Sequence, residues 1–172
     1  IGTVLSDNPS MTVRSLENNI QTIGRQPLRV IVDSHLRISP QANILQGGNT
    51  LIAFAQDSEN KSDVLLAAGA ELICIPNADN KVCLKTLLSH LAHMQINEVL
   101  AEGGEGLNGA LLAQNLIDEL LLYYAPKLMG SKAKGLFDMP AFTQMHQAIG
   151  LDIIDLRQIG SDIRLRAKPH YV

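Results

Sequence analysis

Apolar residues along this chain fall into short continuous runs separated by polar breaks, and the runs alternate with stretches of helical spacing. Residues 28–33 form the first run, flanked by Pro27 and by the polar pair Asp33-Ser34, as for a strand buried on both faces. Similar runs occur at residues 50–55, 71–75 and 99–101, and at 119–125, where Pro126 ends the strand. Between them, residues 60–68 predict a short helix, and Asp79 or Asn80 is placed to cap a longer one reaching Gln95. Leu84, Leu87, Leu88, Leu91 and Met94 recur there at helical spacing, which assigns that face to the core. Residues 107–116 predict a further helix. After Gly130 the pattern changes: residues 132–146 are loop-rich, and 151–158 and 162–168 alternate as two strands joined by Ile159-Gly160-Ser161, a hairpin at a sheet edge. The order predicts an α/β fold with a mostly parallel central sheet flanked by helices and a C-terminal antiparallel hairpin. No repeat, low-complexity tract or linker interrupts residues 1–172, which read as one domain.

The most informative segment lies where the strand of residues 99–101 meets the next helix. Gly104, Gly106 and Gly109 fall in G-x-G-x-x-G spacing, and glycines without Cβ let a backbone approach a ligand closely. The free amides and positive dipole end of the following helix attract an anion, so the turn reads as a phosphate site. Glycines also serve turns and close helix packing, and that bland reading stays open. Glu102 stands at the strand end, aimed at whatever the turn holds. The usual dinucleotide fingerprint sits in the first β-α-β unit and is followed by an acidic residue on the next strand. Here the motif comes late and the next strand ends Tyr123-Tyr124-Ala125-Pro126-Lys127, which argues against a plain Rossmann domain.

Composition narrows the function classes. With 172 residues, 46% hydrophobic and 18% charged, the chain suits a single globular core. A net charge of -3 leaves no electrostatic footprint for nucleic acid or an anionic membrane, so phosphorylated ligands must be held locally. Cys74 and Cys83 make neither a disulfide framework nor a zinc ligand set, and a reduced cytoplasmic compartment is the default reading. No apolar run approaches a membrane span, and no export signal is read at the start. The sequence opens Ile1-Gly2-Thr3 without methionine, which reads as N-terminally truncated or processed.

Other candidates are weaker. Residues 3–14 set small polar side chains around Pro9 and end in Arg14; composition alone favours a capped surface loop, although a guanidinium grips phosphate well. Asp33-Ser34 ends a strand where open α/β sheets present ligand groups, and a turn-forming pair fits equally. His90 and His93 lie three apart on a helix without a third ligand and read as solvent-side residues; no metal is expected. His35, His146 and His170 gain no role from spacing. Asp118 and Glu119 mark a helix-to-strand turn. There is no G-x-S-x-G and no P-loop, so covalent hydrolysis and nucleotide hydrolysis lack their parts.

Three ordered blocks nevertheless carry a specific resemblance. They are Thr3-Val4-Leu5-Ser6-Asp7-Asn8-Pro9 through Met11 to Thr12-Val13-Arg14; Gln26-Pro27-Leu28-Arg29-Val30-Ile31-Val32-Asp33-Ser34; and Glu102-Gly103-Gly104 through Leu107-Asn108-Gly109-Ala110-Leu111-Leu112, continuing to Ile117-Asp118-Glu119-Leu120 and Ala125-Pro126-Lys127-Leu128-Met129-Gly130. With these the chain resembles, over nearly its whole length, the reductase domain of the bifunctional riboflavin-biosynthesis deaminase–reductase family, whose fold is dihydrofolate-reductase-like. The resemblance implies that NADPH reduces the ribosylamino carbon of 5-amino-6-(5-phosphoribosylamino)uracil to the ribitylamino product. By position, it implies NADPH contacts at Thr3, Asp7, Ser34, Gly104, Glu105, Gly106, Leu107, Asn108, Gly109 and Ala110. It implies substrate contacts at Met11, Arg14 and Glu102, with Arg14 on the ribose phosphate. Glu102 is the expected catalytic residue, orienting the opened sugar and stabilising the iminium-like carbon.

The resemblance further implies a homodimer and fusion to a zinc deaminase domain, whose His-x-Glu and Pro-Cys-x-x-Cys ligands this sequence does not contain. The family's reductase domain normally begins with a further strand and helix upstream of Ile1, so activity of this chain alone is open. Two alternatives also stay open: a dihydrofolate-reductase-like enzyme for another pteridine or pyrimidine, and a non-catalytic dinucleotide-binding or dimerisation module.

Overall fold

Three of the apolar runs become the strands β1 (Arg29–Val32), β2 (Thr50–Phe54) and β3 (Ala70–Cys74) in a computed structural model that describes residues 1–13, 26–130 and 132–171. They form a parallel sheet in the order β1-β2-β3, with Ile31 opposite Ile52 and Ile52 opposite Leu72. The central strand is buried at every position, as its uninterrupted apolar sequence requires. α2 (Ser62–Ala67) makes the crossover from β2 to β3 and buries Leu65. This sheet belongs to the first of two compact units, Ile1–Leu100 and Ala101–Val172.

Three expectations for the first unit need correction. Residues 3–8 are not a surface loop: they lie in or cap α1 (Gly2–Asp7), anchored by buried Val4 and closed by Asn8, whose left-handed φ of 43° lets its amide donate to Val4 O at 3.1 Å. Asparagine tolerates that conformation, and Pro9 prevents continuation. Asp79 and Asn80 do not cap the long helix. Asn77 Oδ1 instead accepts the amides of Asp79 and Lys81, both at 2.9 Å, in a tight turn bridged from Pro76 to Val82. Such side-chain turns compete with helix initiation, so α3 (Leu84–His93) starts only after Cys83. α3 buries Leu84, Leu87 and Leu91, whereas Met94 lies just beyond its end and is exposed. Residues 99–101 form no strand, and Val99 and Leu100 are exposed. β-propensity alone cannot hold a strand whose amides find no ladder partner among the described residues.

In the second unit, α4 (Glu105–Ala113) begins two residues before the sequence pattern predicts. β4 (Leu120–Tyr124), β5 (Gly150–Ile159) and β6 (Asp162–His170) form an antiparallel sheet in the order β4-β6-β5. The hairpin turn uses Gly160 at a φ of 60°, and a bulge interrupts β5 between Ile153 and Asp155. Leu120 faces fully buried Ala167 across the ladder. On the other face Arg166 grips Glu119 through two bonds of 2.7 and 2.9 Å, confirming a structural place for that acid at the strand entry. The expected parallel sheet with flanking helices and the C-terminal hairpin are thus both present, and β4 joins the hairpin rather than the parallel sheet. Among the described residues no helix is long and apolar enough to cross a membrane, and no group of histidine, cysteine and acidic side chains gathers to hold a metal ion. His90 is half-buried and His93 exposed on the last turn of α3.

Candidate functional site

At the C-terminal end of β1 the chain makes a tight turn around Asp33 and Ser34. Asp33 is fully buried; its Oδ2 accepts the Ile38 amide at 2.8 Å, and its carbonyl accepts the Leu36 amide at 3.2 Å. Leu36 takes a left-handed φ of 49° and plugs into the core. The Ser34 carbonyl accepts the amides of Ala55 and Gln56 at 3.1 and 2.9 Å, while Ser34 Oγ accepts the Val82 amide at 3.2 Å. Five backbone amides therefore fix this turn, and the Ser34 hydroxyl, with one lone pair engaged, has its proton to donate to a ligand acceptor.

The polar N-terminal segment is tied to the same unit by side chains that pattern reading does not single out. Asn8 Oδ1 accepts the Asn43 amide at 2.8 Å, and Asn43 Nδ2 donates to Asn8 O at 3.0 Å. The buried Arg29 guanidinium donates to the carbonyls of Ser10 at 3.3 Å and Gln46 at 3.1 Å, and to Gly48 O. The signal for Arg29 was available: a charged residue opening an otherwise apolar buried strand needs partners. Thr3 and Asp7 lie four residues apart on α1, share a face and are exposed, and Ser6 Oγ donates to Asp7 Oδ1 at 2.6 Å. Met11 is exposed with a left-handed φ of 48°. Arg14 lies outside the described residues.

In the second unit Gly104 is the N-cap of α4, and no side chain caps the helix. Asn108 N donates to Gly104 O at 3.1 Å as the first intrahelical bond, which leaves the amides of Glu105, Gly106 and Leu107 without an intrahelical acceptor. A Cβ at Gly104 or Gly106 would meet nothing within 4 Å, so the backbone here is open to an incoming group. The rest of the motif serves packing. Glu105 Oε2 accepts the Gly135 amide at 3.1 Å, Glu105 O accepts the Asp138 amide at 2.9 Å, and Asn108 Nδ2 donates to Gly103 O at 3.1 Å and Leu136 O at 3.2 Å. Gly109 is buried against the Asp138 backbone. Leu107 and Ala110 are half-buried, and Glu102 is exposed just ahead of the glycines.

Two cavities of about 370 and 300 Å³ lie elsewhere in this unit, between α4, the sheet and the loop of residues 136–149. Apolar side chains such as Leu112, Met139 and Phe142 line both, and none of the expected site residues does.

Comparison with known proteins gives these features a family context. The RibD protein of Escherichia coli is 35% identical over 171 residues, covering 95% of this chain and 46% of that protein. A protein of Buchnera aphidicola subsp. Acyrthosiphon pisum named 5-amino-6-(5-phosphoribosylamino)uracil reductase is 33% identical over 174 residues, covering 97% of this chain and 83% of that protein. The solved structure of Acinetobacter baumannii RibD superposes with a TM-score of 0.83 at 35% identity, covering 98% of this chain and 45% of that one. The chain thus spans about half the length of the RibD proteins it matches. Residues 1–165 match the RibD C-terminal domain, and the chain belongs to that family.

Proposed function

We propose that this chain is an NADPH-dependent reductase domain that converts 5-amino-6-(5-phosphoribosylamino)uracil to its ribitylamino product in riboflavin biosynthesis. The observation that carries the reading is the uncapped N-terminus of α4, where three backbone amides have no intrahelical acceptor and a Cβ at Gly104 or Gly106 would meet nothing within 4 Å. That arrangement fits the diphosphate of a dinucleotide, because amides and helix dipole both favour an anion. The names of the Buchnera and Escherichia coli relatives support the reaction and the biosynthetic context.

NADPH, when bound, supplies the hydride; the protein supplies binding, orientation and electrostatics. In the first unit Ser34 donates its hydroxyl proton to the cofactor, Thr3 and Asp7 offer polar contacts from one face of α1, and Met11 and Arg14 belong to the substrate. In the second, residues 104–110 contribute two kinds of group. Gly104 and Gly106 leave room for the cofactor, while Glu105, Asn108 and Gly109 hold the loop at residues 135–138 that fixes the helix start. Glu102 orients the sugar and stabilises positive charge developing at the carbon that accepts hydride. We infer a homodimer, a cytoplasmic location and, in the full-length protein, fusion to a zinc deaminase domain.

The test is NADPH oxidation, followed at the nicotinamide absorbance, with the phosphoribosylaminouracil as substrate. Oxidation lost on changing Glu102 or Arg14 supports the assignment. NADPH binding without oxidation favours a relative with another substrate or a binding module, and sedimentation of the same preparation reads the oligomeric state.

A further inference from the structure

We propose that Arg29 is a positioning residue for the substrate, holding the segment that presents Met11, a proposal that rests on the reductase reading above. Its guanidinium sets affinity for the phosphoribosylaminouracil and not affinity for the dinucleotide. Met11 is left-handed, at a φ of 48°, although its side chain is exposed, so burial of that side chain does not select the conformation. A long side chain without a local hydrogen-bonding group rarely takes this region, and a residue stays there only where its surroundings fix the chain on either side.

Both supports of Met11 come from the run that leads into β1. Before it, Arg29 Nη1 donates to the carbonyl of Ser10 at 3.3 Å. Beyond it, Gln26 Oε1 accepts the Val13 amide at 2.9 Å, and Gln26 Nε2 donates to Val13 O at 3.4 Å. Asn49 ties these two side chains' own backbone together: its Nδ2 donates to Gln26 O at 3.0 Å, and its carbonyl accepts the Arg29 amide at 3.1 Å. The start of the segment is anchored separately, by the paired bonds between Asn8 and Asn43.

Arg29 is the stronger of the two grips because it is buried, at 6% exposure, and its terminal nitrogens also donate to Gln46 O at 3.1 Å and to Gly48 O. Gly47, Gly48 and Asn49 all carry left-handed φ values, of 81°, 69° and 56°, and this curl brings two carbonyls of one loop onto one cation. A buried charge needs compensation, and a carboxylate would give it at a single point. Main-chain carbonyls from two separate segments instead make the guanidinium a cross-link, through charge-assisted bonds that a neutral side chain cannot replace. Its loss frees the backbone around Met11 and the loop at residues 46–48 together. The cofactor turn has its own supports: Asp33 and Ser34, beyond the other end of β1, are fixed by the amides of residues 36, 38, 55, 56 and 82. Binding of the two ligands therefore reports on different parts of the unit.

Titration calorimetry with NADP⁺, and then with the phosphoribosylaminouracil into the NADP⁺-loaded protein, reads both affinities without turnover, since NADP⁺ has no hydride to give. Arg29→Met should weaken substrate binding by about 10- to 100-fold, the scale of ordering a few backbone residues anew on binding, and leave NADP⁺ affinity unchanged. Arg29→Lys, which keeps the charge without the fork, should recover part of the substrate affinity and decides the matter if the Met variant does not fold. Undiminished substrate affinity in the folded variants, or a parallel loss for both ligands, overturns the proposal alone. Absence of substrate binding by the unaltered chain overturns the reductase reading and this proposal together.

Discussion

Gly109 on α4 and Asp138 meet backbone to backbone: a Cβ added at Gly109 would collide with the Asp138 carbonyl oxygen and lie 2.8 Å from its carbonyl carbon. The Asp138 amide is bonded to Glu105 O at 2.9 Å one turn earlier, so the loop cannot retreat without breaking that bond. Gly109→Ala should therefore destabilise the protein by about 1–3 kcal/mol, the usual cost of overpacking. Urea unfolding measures it, and a midpoint equal to that of the unaltered chain would contradict the contact.

Glu102 is exposed, so replacing it should barely touch the fold. If its carboxylate stabilises the carbon that receives hydride, Glu102→Gln lowers kcat by about 100-fold, the scale of one lost electrostatic partner, with NADPH affinity retained. Steady-state turnover and a fluorescence titration of NADPH separate the two. Unchanged turnover removes the role.

The parallel sheet was legible because its strands are continuous apolar runs, and β2 is buried throughout as such a run demands. The hairpin was legible from alternation around Gly160. What escaped pattern reading depended on side-chain turns and on strand neighbours. Asn77 captures two amides and delays α3 to Leu84, and Asn8 closes a helix where small polar residues suggested a loop. Residues 99–101 have strand-forming side chains but no ladder among the described residues. The glycine motif gave the right location and only half the reason: Gly104 and Gly106 are open, whereas Gly109 exists to let a loop approach. Arg29 carries no motif, since its significance lies in the carbonyls of Ser10, Gln46 and Gly48, distant from it in sequence.

The charged face of the antiparallel sheet sets an acid limit on stability. Hydrogen bonds from Arg157 first and Arg164 second hold the Asp155 carboxyl down at about 2. A depressed carboxylate contributes stability above its unfolded value, near 3.9, and loses that contribution as the pH falls through its folded value. The melting temperature should thus fall between about pH 4 and pH 2, and Asp155→Asn should flatten that part of the profile while lowering the plateau above it. Thermal melts of both proteins across this range check the sign; parallel curves would show that the ion pairs contribute nothing.

Gly106 allows the packing and ligand explanations of the glycine turn to be separated at one residue. It occupies the first turn of α4, its φ is not left-handed, and a Cβ would meet nothing within 4 Å. On folding grounds alone, Gly106→Ala should stabilise, because alanine loses less backbone freedom in a helix, by up to about 1 kcal/mol. On the ligand reading the same methyl projects into space that the dinucleotide needs for close approach to the amides of residues 105–107. The variant is therefore expected to melt at a temperature equal to or above that of the unaltered protein while binding NADPH at least about 10-fold more weakly, the effect of one displaced charge-assisted bond. Gains in both stability and affinity would mean that the helix start is not where the diphosphate sits. A loss of affinity in a more stable protein is an outcome that no packing role for Gly106 produces.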